Sequence, residues 1–195
     1  MEKFNVVMLG APGSGKGTQA KILAQEFRLA HVSTGDLFRK QIASGNALGQ
    51  EAKSYIDRGA LCPDSLTINM LHDFLSHISD VEGFILDGVP RTTQQAEMLE
   101  GFGTTPKLPV HLVLNLNVDQ EEIARRMIKR AELEHRSDDT PEIIQKRIEN
   151  YFAQTKPLEE YYAAQGVLRQ INGMGSVEEI SAVLCETVRR EMRRR

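Results

Sequence analysis

The run Gly10-Ala11-Pro12-Gly13-Ser14-Gly15-Lys16-Gly17-Thr18 restricts this chain more than any other segment. An apolar stretch, 4–9, precedes it and reads as a buried strand. The residues 16–27 read as a helix with Ile22 and Leu23 towards the core. A glycine-rich turn between strand and helix presents several backbone N–H groups to one anion, and the helix N-terminus adds positive potential there. Lys16 supplies a full charge for the outer phosphates of a nucleotide. The pattern G-x-x-x-x-G-K is met, but Gly17 follows the lysine and the hydroxyl arrives one place later, at Thr18. That displaces the hydroxyl from the place where the strict pattern puts its magnesium ligand.

Beyond this loop, short apolar runs alternate with longer helical patterns, which predicts an α/β protein built from βαβ units on a parallel sheet. Further strands are expected at 29–33, 83–87, 110–117 and 167–171. The residues between the second and third strands read as helical throughout, with Leu66, Met70 and Phe74 in an apolar line after an N-cap at Asp64. Asp119 with Glu122, and Ser176 with Glu179, read as capping boxes. Thr140-Pro141 reads as a cap with proline at the first helical position, and Pro157 should kink or interrupt its helix. A length of 195 residues suits one domain.

A nucleotide-phosphate site leaves several functions open, and composition narrows them. The net charge of −3 and the 6% aromatic content give no support to a motor or helicase with a nucleic-acid channel. A regulatory GTPase needs D-x-x-G after its third strand, but Asp87 is followed by Gly88-Val89-Pro90, and no N-K-x-D occurs. Two cysteines, Cys62 and Cys185, cannot build a four-cysteine zinc site, and the five histidines sit at no metal-ligand spacing. The apolar start is too short for a signal peptide or a membrane span, so a reduced, cytoplasmic setting is expected. The basic end, 189–195, reads as cations at a helix C-terminus.

What remains is a small-molecule kinase, which needs a second basic pocket for its acceptor. Arg39, Arg91, Arg126, Arg130, Arg136 and Arg147 are the candidates. Arg91 and Asp87 fall at the end of a predicted strand, where ligands sit in open parallel sheets. That pair suits a metal-water contact beside a phosphate contact. Arg126 and Arg130 share one helix face, and Arg147 lies between the apolar lines of Ile143 and of Ile144 with Ile148. Phosphoryl transfer needs positioning and charge neutralisation more than covalent help. An acceptor that is itself a phosphate is already ionised at neutral pH and needs no general base.

These segments resemble the adenylate kinases of the nucleoside-monophosphate kinase family. GAPGSGKGT at 10–18, STGDLFR at 33–39, LDGVPRT at 86–92 and RSDD at 136–139 carry the resemblance, in that order, across nearly the whole chain. It implies a P-loop nucleoside-triphosphate-binding fold with five parallel strands flanked by helices. It also implies two insertions, one at 33–62 for the monophosphate acceptor and a lid at 129–139. Longer-lidded relatives often carry zinc. Only 131–134 separate Arg130 from the stretch beginning at His135, as in the short-lid form, so no zinc is expected. The implied reaction is reversible, magnesium-dependent transfer from ATP to AMP, giving two ADP, by a monomer.

The resemblance also implies residue roles. Gly13, Ser14, Gly15, Lys16, Gly17 and Thr18 would cradle the ATP phosphates, with Arg126 stacked near the donor adenine and Gly175 touching it by its carbonyl. Arg130, Arg136 and Arg147 would clamp the transferring group, and Asp87 would orient magnesium through water. Arg39 and Arg91 would hold the AMP phosphate, with Arg136 and Arg147 nearby. Ala60, Leu61 and Cys62 would pass the AMP sugar and base by backbone, as would Gly88, Val89 and Pro90, though the family usually has an aromatic residue at 89. A UMP/CMP kinase shares nearly all of this. Thr34 and Gln95 discriminate, since pyrimidine-specific relatives tend to have alanine and asparagine there. Gln95 offers both donor and acceptor to an adenine edge, and Thr34 offers a hydroxyl. Thr34 also reads as a cap for the helix opening near Asp36.

Overall fold

Strand β1 (Val6–Gly10) is buried along its whole length and occupies the middle of a five-stranded parallel sheet. The computed structural model describes residues 3–101, 107–134 and 140–194. The other strands are β2 (Leu29–Ser33), β3 (Gly83–Asp87), β4 (Leu112–Asn117) and β5 (Leu168–Asn172), in the order β2-β3-β1-β4-β5. The fold class is thus the α/β, helix-flanked parallel sheet expected. The chain lays down one half of the sheet, returns past β1 and starts the other half at β4. The carboxyl ends around β1 are therefore a topological switch point, where such sheets open a crevice.

Period-two alternation supplies both faces. Val7, Leu9, Leu86 and Val113 face α4 (Asp64–Ser76), α5 (Thr93–Leu99) and α8 (Leu158–Ala164), through Ile68, Leu71, Leu99 and Tyr162. Met8, Ile85 and Leu114 face α1 (Lys16–Phe27) and α9 (Val177–Arg193), through Leu23, Leu184 and Val188. No helix among the described residues is long and apolar enough to cross a membrane.

Several local expectations need correction. The first strand begins at Val6, and Asn5 before it mixes backbone and side-chain pairing: its carbonyl accepts from His111 N, its N–H donates to His111 Nδ1, Nδ2 donates to Pro109 O and Oδ1 accepts from Phe84 N. The α1 core contacts are Gln19, Ala20 and Leu23, and Ile22 is only half-buried. The 34–76 stretch is three helices, α2 (Thr34–Ser44), α3 (Ala47–Ile56) and α4. Asp64 is no cap. Pro63 holds that place, and the Asp64 carboxylate accepts from Thr92 Oγ1 at 3.0 Å and Gln95 Nε2 at 2.7 Å. Ser33, not Thr34, caps α2 through Asp36 N. Glu122 on α6 (Gln120–Glu134) binds Arg126 rather than closing a box. The capping box at Ser176 and Glu179 forms, as does the Thr140 cap of α7 (Pro141–Asn150). Beyond α7 the chain takes a π turn, Tyr151–Thr155, and Pro157 opens α8.

Candidate active site

The phosphate loop leaves β1 at Gly10 and enters α1 at Lys16, where the fold brings the sheet's carboxyl edge to the surface. Gly13 has φ +80°, and a Cβ there would stand 2.7 Å from Met127 Cγ and 3.1 Å from Ile123 O. Only glycine lets α6 lie this close against the loop. Arg126 of α6 then ties three segments together. It donates to Glu122 Oε1 at 2.6 Å, Ser14 O at 3.3 Å and Gly173 O at 3.1 Å.

Lys16 folds across the loop, its Nζ donating to Gly10 O at 2.8 Å and Ala11 O at 2.9 Å. Burial pulls its ammonium down to about 8. Asp87 opposes that, while Arg91, Arg147 and Arg130 add to it. Asp87 ends β3 close enough to the loop that a Cβ at Gly17 would lie 3.3 Å from its Oδ2. Burial works against its ionisation. His31, 3.6 Å away, together with Lys16 and Arg91, outweighs burial and holds the carboxyl below the usual carboxylate range. It is an anion at neutral pH.

These groups line one cleft of about 850 Å³. Among the described residues, its walls carry nine cations (Lys16, Lys21, Arg39, Arg91, Arg125, Arg126, Lys129, Arg130 and Arg147) against three carboxylates, Asp36, Asp87 and Glu122. A chain of net charge −3 thus concentrates positive potential in one place, which suits polyanionic ligands. Gly13, Ser14, Gly15, Gly17, Thr18, Gly175, Thr34, Ala60, Leu61, Cys62, Gly88, Pro90 and Gln95 line the same cleft. Two expected site residues are not placed there. Val89 is 1% exposed and packs in the core, off the cleft wall. Arg136, with His135 and the rest of RSDD, lies outside the described residues. The first part of the expected lid, 129–134, is the end of α6.

The acceptor-side candidates are already engaged with one another. Thr34 Oγ1 donates to Gly88 O at 2.8 Å. Gln95 Oε1 accepts from Arg91 N at 2.8 Å while its Nε2 donates to Asp64. Arg39 meets Asp36 at 2.5 Å. Cys62 lines the cleft, and burial pushes its thiol up to about 11, so it is an unreactive thiol at neutral pH. His31 was not legible as a site residue. Its only signal was parity, two residues before Ser33 on a strand whose pairing with β3 only the fold reveals. Asn150 and Thr155, which also line the cleft, gave no signal at all.

A family model described as Adenylate kinase matches residues 8–167. An adenylate kinase of Leptospira biflexa is 42% identical over 183 residues, covering 94% of this chain and 98% of that protein. One of Bacteroides fragilis is 42% identical over 185 residues, covering 95% and 98%. The chain belongs to the adenylate kinase family. An adenylate kinase of Dehalococcoides mccartyi is 40% identical, covering 95% of this chain and 98% of that protein, but over 212 aligned positions. The Dehalococcoides protein therefore carries inserted residues with no counterpart here, whereas the stretch aligned to the Leptospira protein holds no such insertion. As a member of the adenylate kinase family the chain is a nucleoside-monophosphate kinase, a transferase of the P-loop class. None of these three relatives is named as a pyrimidine nucleotide kinase.

Proposed function

We propose that this member of the adenylate kinase family transfers the terminal phosphoryl group of ATP to AMP across the cationic cleft, giving two ADP. The observation that carries the reading is the convergence of nine cations on the cleft that the phosphate loop opens into. ATP lies with its phosphates on Gly13–Thr18 and its adenine between Arg126 and Gly175. AMP lies with its phosphate on Arg39 and Arg91 and its base towards Thr34, Gln95 and the 60–62 backbone. Gly88 and Pro90 border the same side.

The mechanism is positioning and charge neutralisation. Lys16 exchanges its carbonyl partners for the outer phosphates of ATP. Arg130, Arg147 and, by resemblance, Arg136 meet the equatorial oxygens of the transferring group, where negative charge spreads in the transition state. The AMP phosphate is its own nucleophile, so no side chain needs to remove a proton. Asp87 suits magnesium: it is ionised, faces Lys16 and borders the loop at Gly17. Among the described residues no cluster of three metal-ligating groups exists, so the phosphates and water would supply most of the ligands. When bound, magnesium neutralises phosphate charge.

By resemblance, segment 33–62 works as the acceptor-binding arm and 129–139 as a short lid; Thr34, Arg39 and the 60–62 backbone line the cleft on the side given to AMP. We place the enzyme in the cytoplasm as a monomer. Both cysteines are free thiols, as a reducing compartment keeps them.

The test is a coupled assay with ATP and AMP, CMP, UMP and GMP side by side. AMP is expected to give the highest kcat/KM, and Lys16→Met to lower kcat by about a hundredfold or more while the protein stays folded. A preference for CMP or UMP overturns the acceptor assignment, and near-normal turnover by folded Lys16→Met overturns the role of the loop.

A further inference from the structure

Helix α7, which carries Arg147, does not continue as an α-helix. After Asn150 the chain winds as the π turn Tyr151–Thr155, closed by Lys156 N donating to Tyr151 O at 2.9 Å. Such turns sacrifice hydrogen-bond geometry and recur at functional sites. Two polar side chains bracket this one. Asn150 Nδ2 donates to Gly59 O at 2.7 Å, and Thr155 Oγ1 donates to Arg91 O at 2.9 Å. Residues five apart on an α-helix stand about 140° apart around its axis, at 3.6 residues per turn. Winding i→i+5 brings such residues to one side. The π turn therefore lets both ends of one short segment reach the same wall of the cleft.

The two carbonyls directly adjoin the two backbone segments assigned above to AMP. Gly59 leads into the 60–62 backbone, and Arg91 follows the turn after β3. The first of these is also pressed against α7, since a Cβ at Gly59 (φ +66°) would lie 3.2 Å from Ile143 O and 3.3 Å from Lys146 Cβ. The Asn150 bond fixes where along α7 that segment rests. Thr155 is 8% exposed, so water is poorly placed to replace its hydroxyl. The Arg91 backbone is gripped from two sides, with its N–H on Gln95 and its carbonyl on Thr155.

We propose that Asn150 and Thr155 are positioning residues for the acceptor. Through the π turn they hold the 59–62 segment and Arg91 in register with Arg147, so that the AMP base and phosphate meet a preformed site. Neither touches a reacting atom. The proposal rests on the assignment of Arg91 and 60–62 to the AMP side.

The test uses the full chain and calorimetric titration with AMP and, separately, with a non-hydrolysable ATP analogue, beside melting temperatures. Thr155→Val keeps the side chain's shape and removes the donor, while Thr155→Ser keeps the donor. Asn150→Ala, at a half-exposed position, carries the test if Thr155→Val fails to fold. Thr155→Val and Asn150→Ala are each expected to weaken AMP about 5- to 20-fold and to leave the ATP analogue within about twofold, with Thr155→Ser close to wild type. Equal weakening of both ligands, or a Thr155→Ser protein as poor as Thr155→Val, shows a merely structural role and overturns the proposal. Arg91→Ala is the control. If it abolishes AMP binding while Thr155→Val and Asn150→Ala leave it unchanged, the positioning role fails and the acceptor assignment stands. If Arg91→Ala leaves AMP binding intact, the acceptor assignment fails and takes the proposal with it.

Discussion

Lys16 lies between the carbonyls of its own loop and the arginines of the opposite wall, and burial lowers its ammonium to about 8. An unfolded chain keeps that proton up to the ordinary value of 10.5. Between those values the unfolded state binds more protons than the folded state, so this group makes stability rise with pH across that window. A polyphosphate beside Lys16 restores the charged form. ATP binding near pH 8.5 should therefore take up protons, and affinity should fall as pH rises through 8. Titration calorimetry in two buffers of different ionisation heat reads the uptake directly. Its absence in the native protein, or its persistence in Lys16→Met, would contradict this account. Gln95 makes a second residue-scale case. Because its amide also holds Arg91 N and Asp64, Gln95→Asn should lower kcat/KM for every acceptor, AMP most. Thr34→Ala should chiefly narrow the gap between AMP and CMP or UMP. An unchanged AMP preference in both variants removes base recognition from these two positions.

At the scale of elements, the segment proposed as the acceptor arm is a helix pair whose packing depends on one missing side chain. Helix α2 stops at Gly45 in the left-handed conformation, Asn46 caps α3 by accepting from Gly49 N at 2.7 Å, and the two helices then lie against each other. A Cβ on Gly49 would stand 2.1 Å from Gln41 O, a backbone atom that has nowhere to go. Gly49→Ala must therefore prise α3 from α2, at about 1–3 kcal/mol for such overpacking. For a chain of this size that lowers the melting temperature by roughly 2–12 °C. The damage should stay on the acceptor side, with AMP affinity reduced and ATP affinity retained. Calorimetry with each nucleotide checks this, and equal losses would show that the arm is not an independent acceptor element.

Across the whole molecule, the charge distribution argues for one cleft serving two nucleotides. The chain is acidic overall, yet nine cations converge where the sheet changes direction. Two adenosines joined by five phosphates should fill both halves at once. Such a ligand should raise the melting temperature well beyond the shift given by ATP or AMP alone at the same concentration, and the excess should shrink with salt. A shift no larger than that of ATP would mean that the two sites are not joined.

Local chemistry was enough to read much of this protein from its residues in order. The phosphate loop, the span of α1, the strands β2 and β3, the Ser176 capping box and the break at Pro157 each depend on neighbours a few positions away. Proline geometry, glycine freedom and apolar alternation act over that range. The convergence of Arg39, Arg91, Arg126, Arg130 and Arg147 could be named but not demonstrated, because it depends on a strand order that crosses from β3 past β1 to β4. His31 reaches Asp87 only because β2 pairs with β3. Of the 88–90 backbone expected at the acceptor, Gly88 and Pro90 line the cleft, while Val89 turns its apolar side chain into the core, where burial favours it. Asn150 and Thr155 carry nothing in their sequence neighbourhood that marks them. Their partners, Gly59 and Arg91, are brought to them only when α7 unwinds into the π turn against the finished cleft.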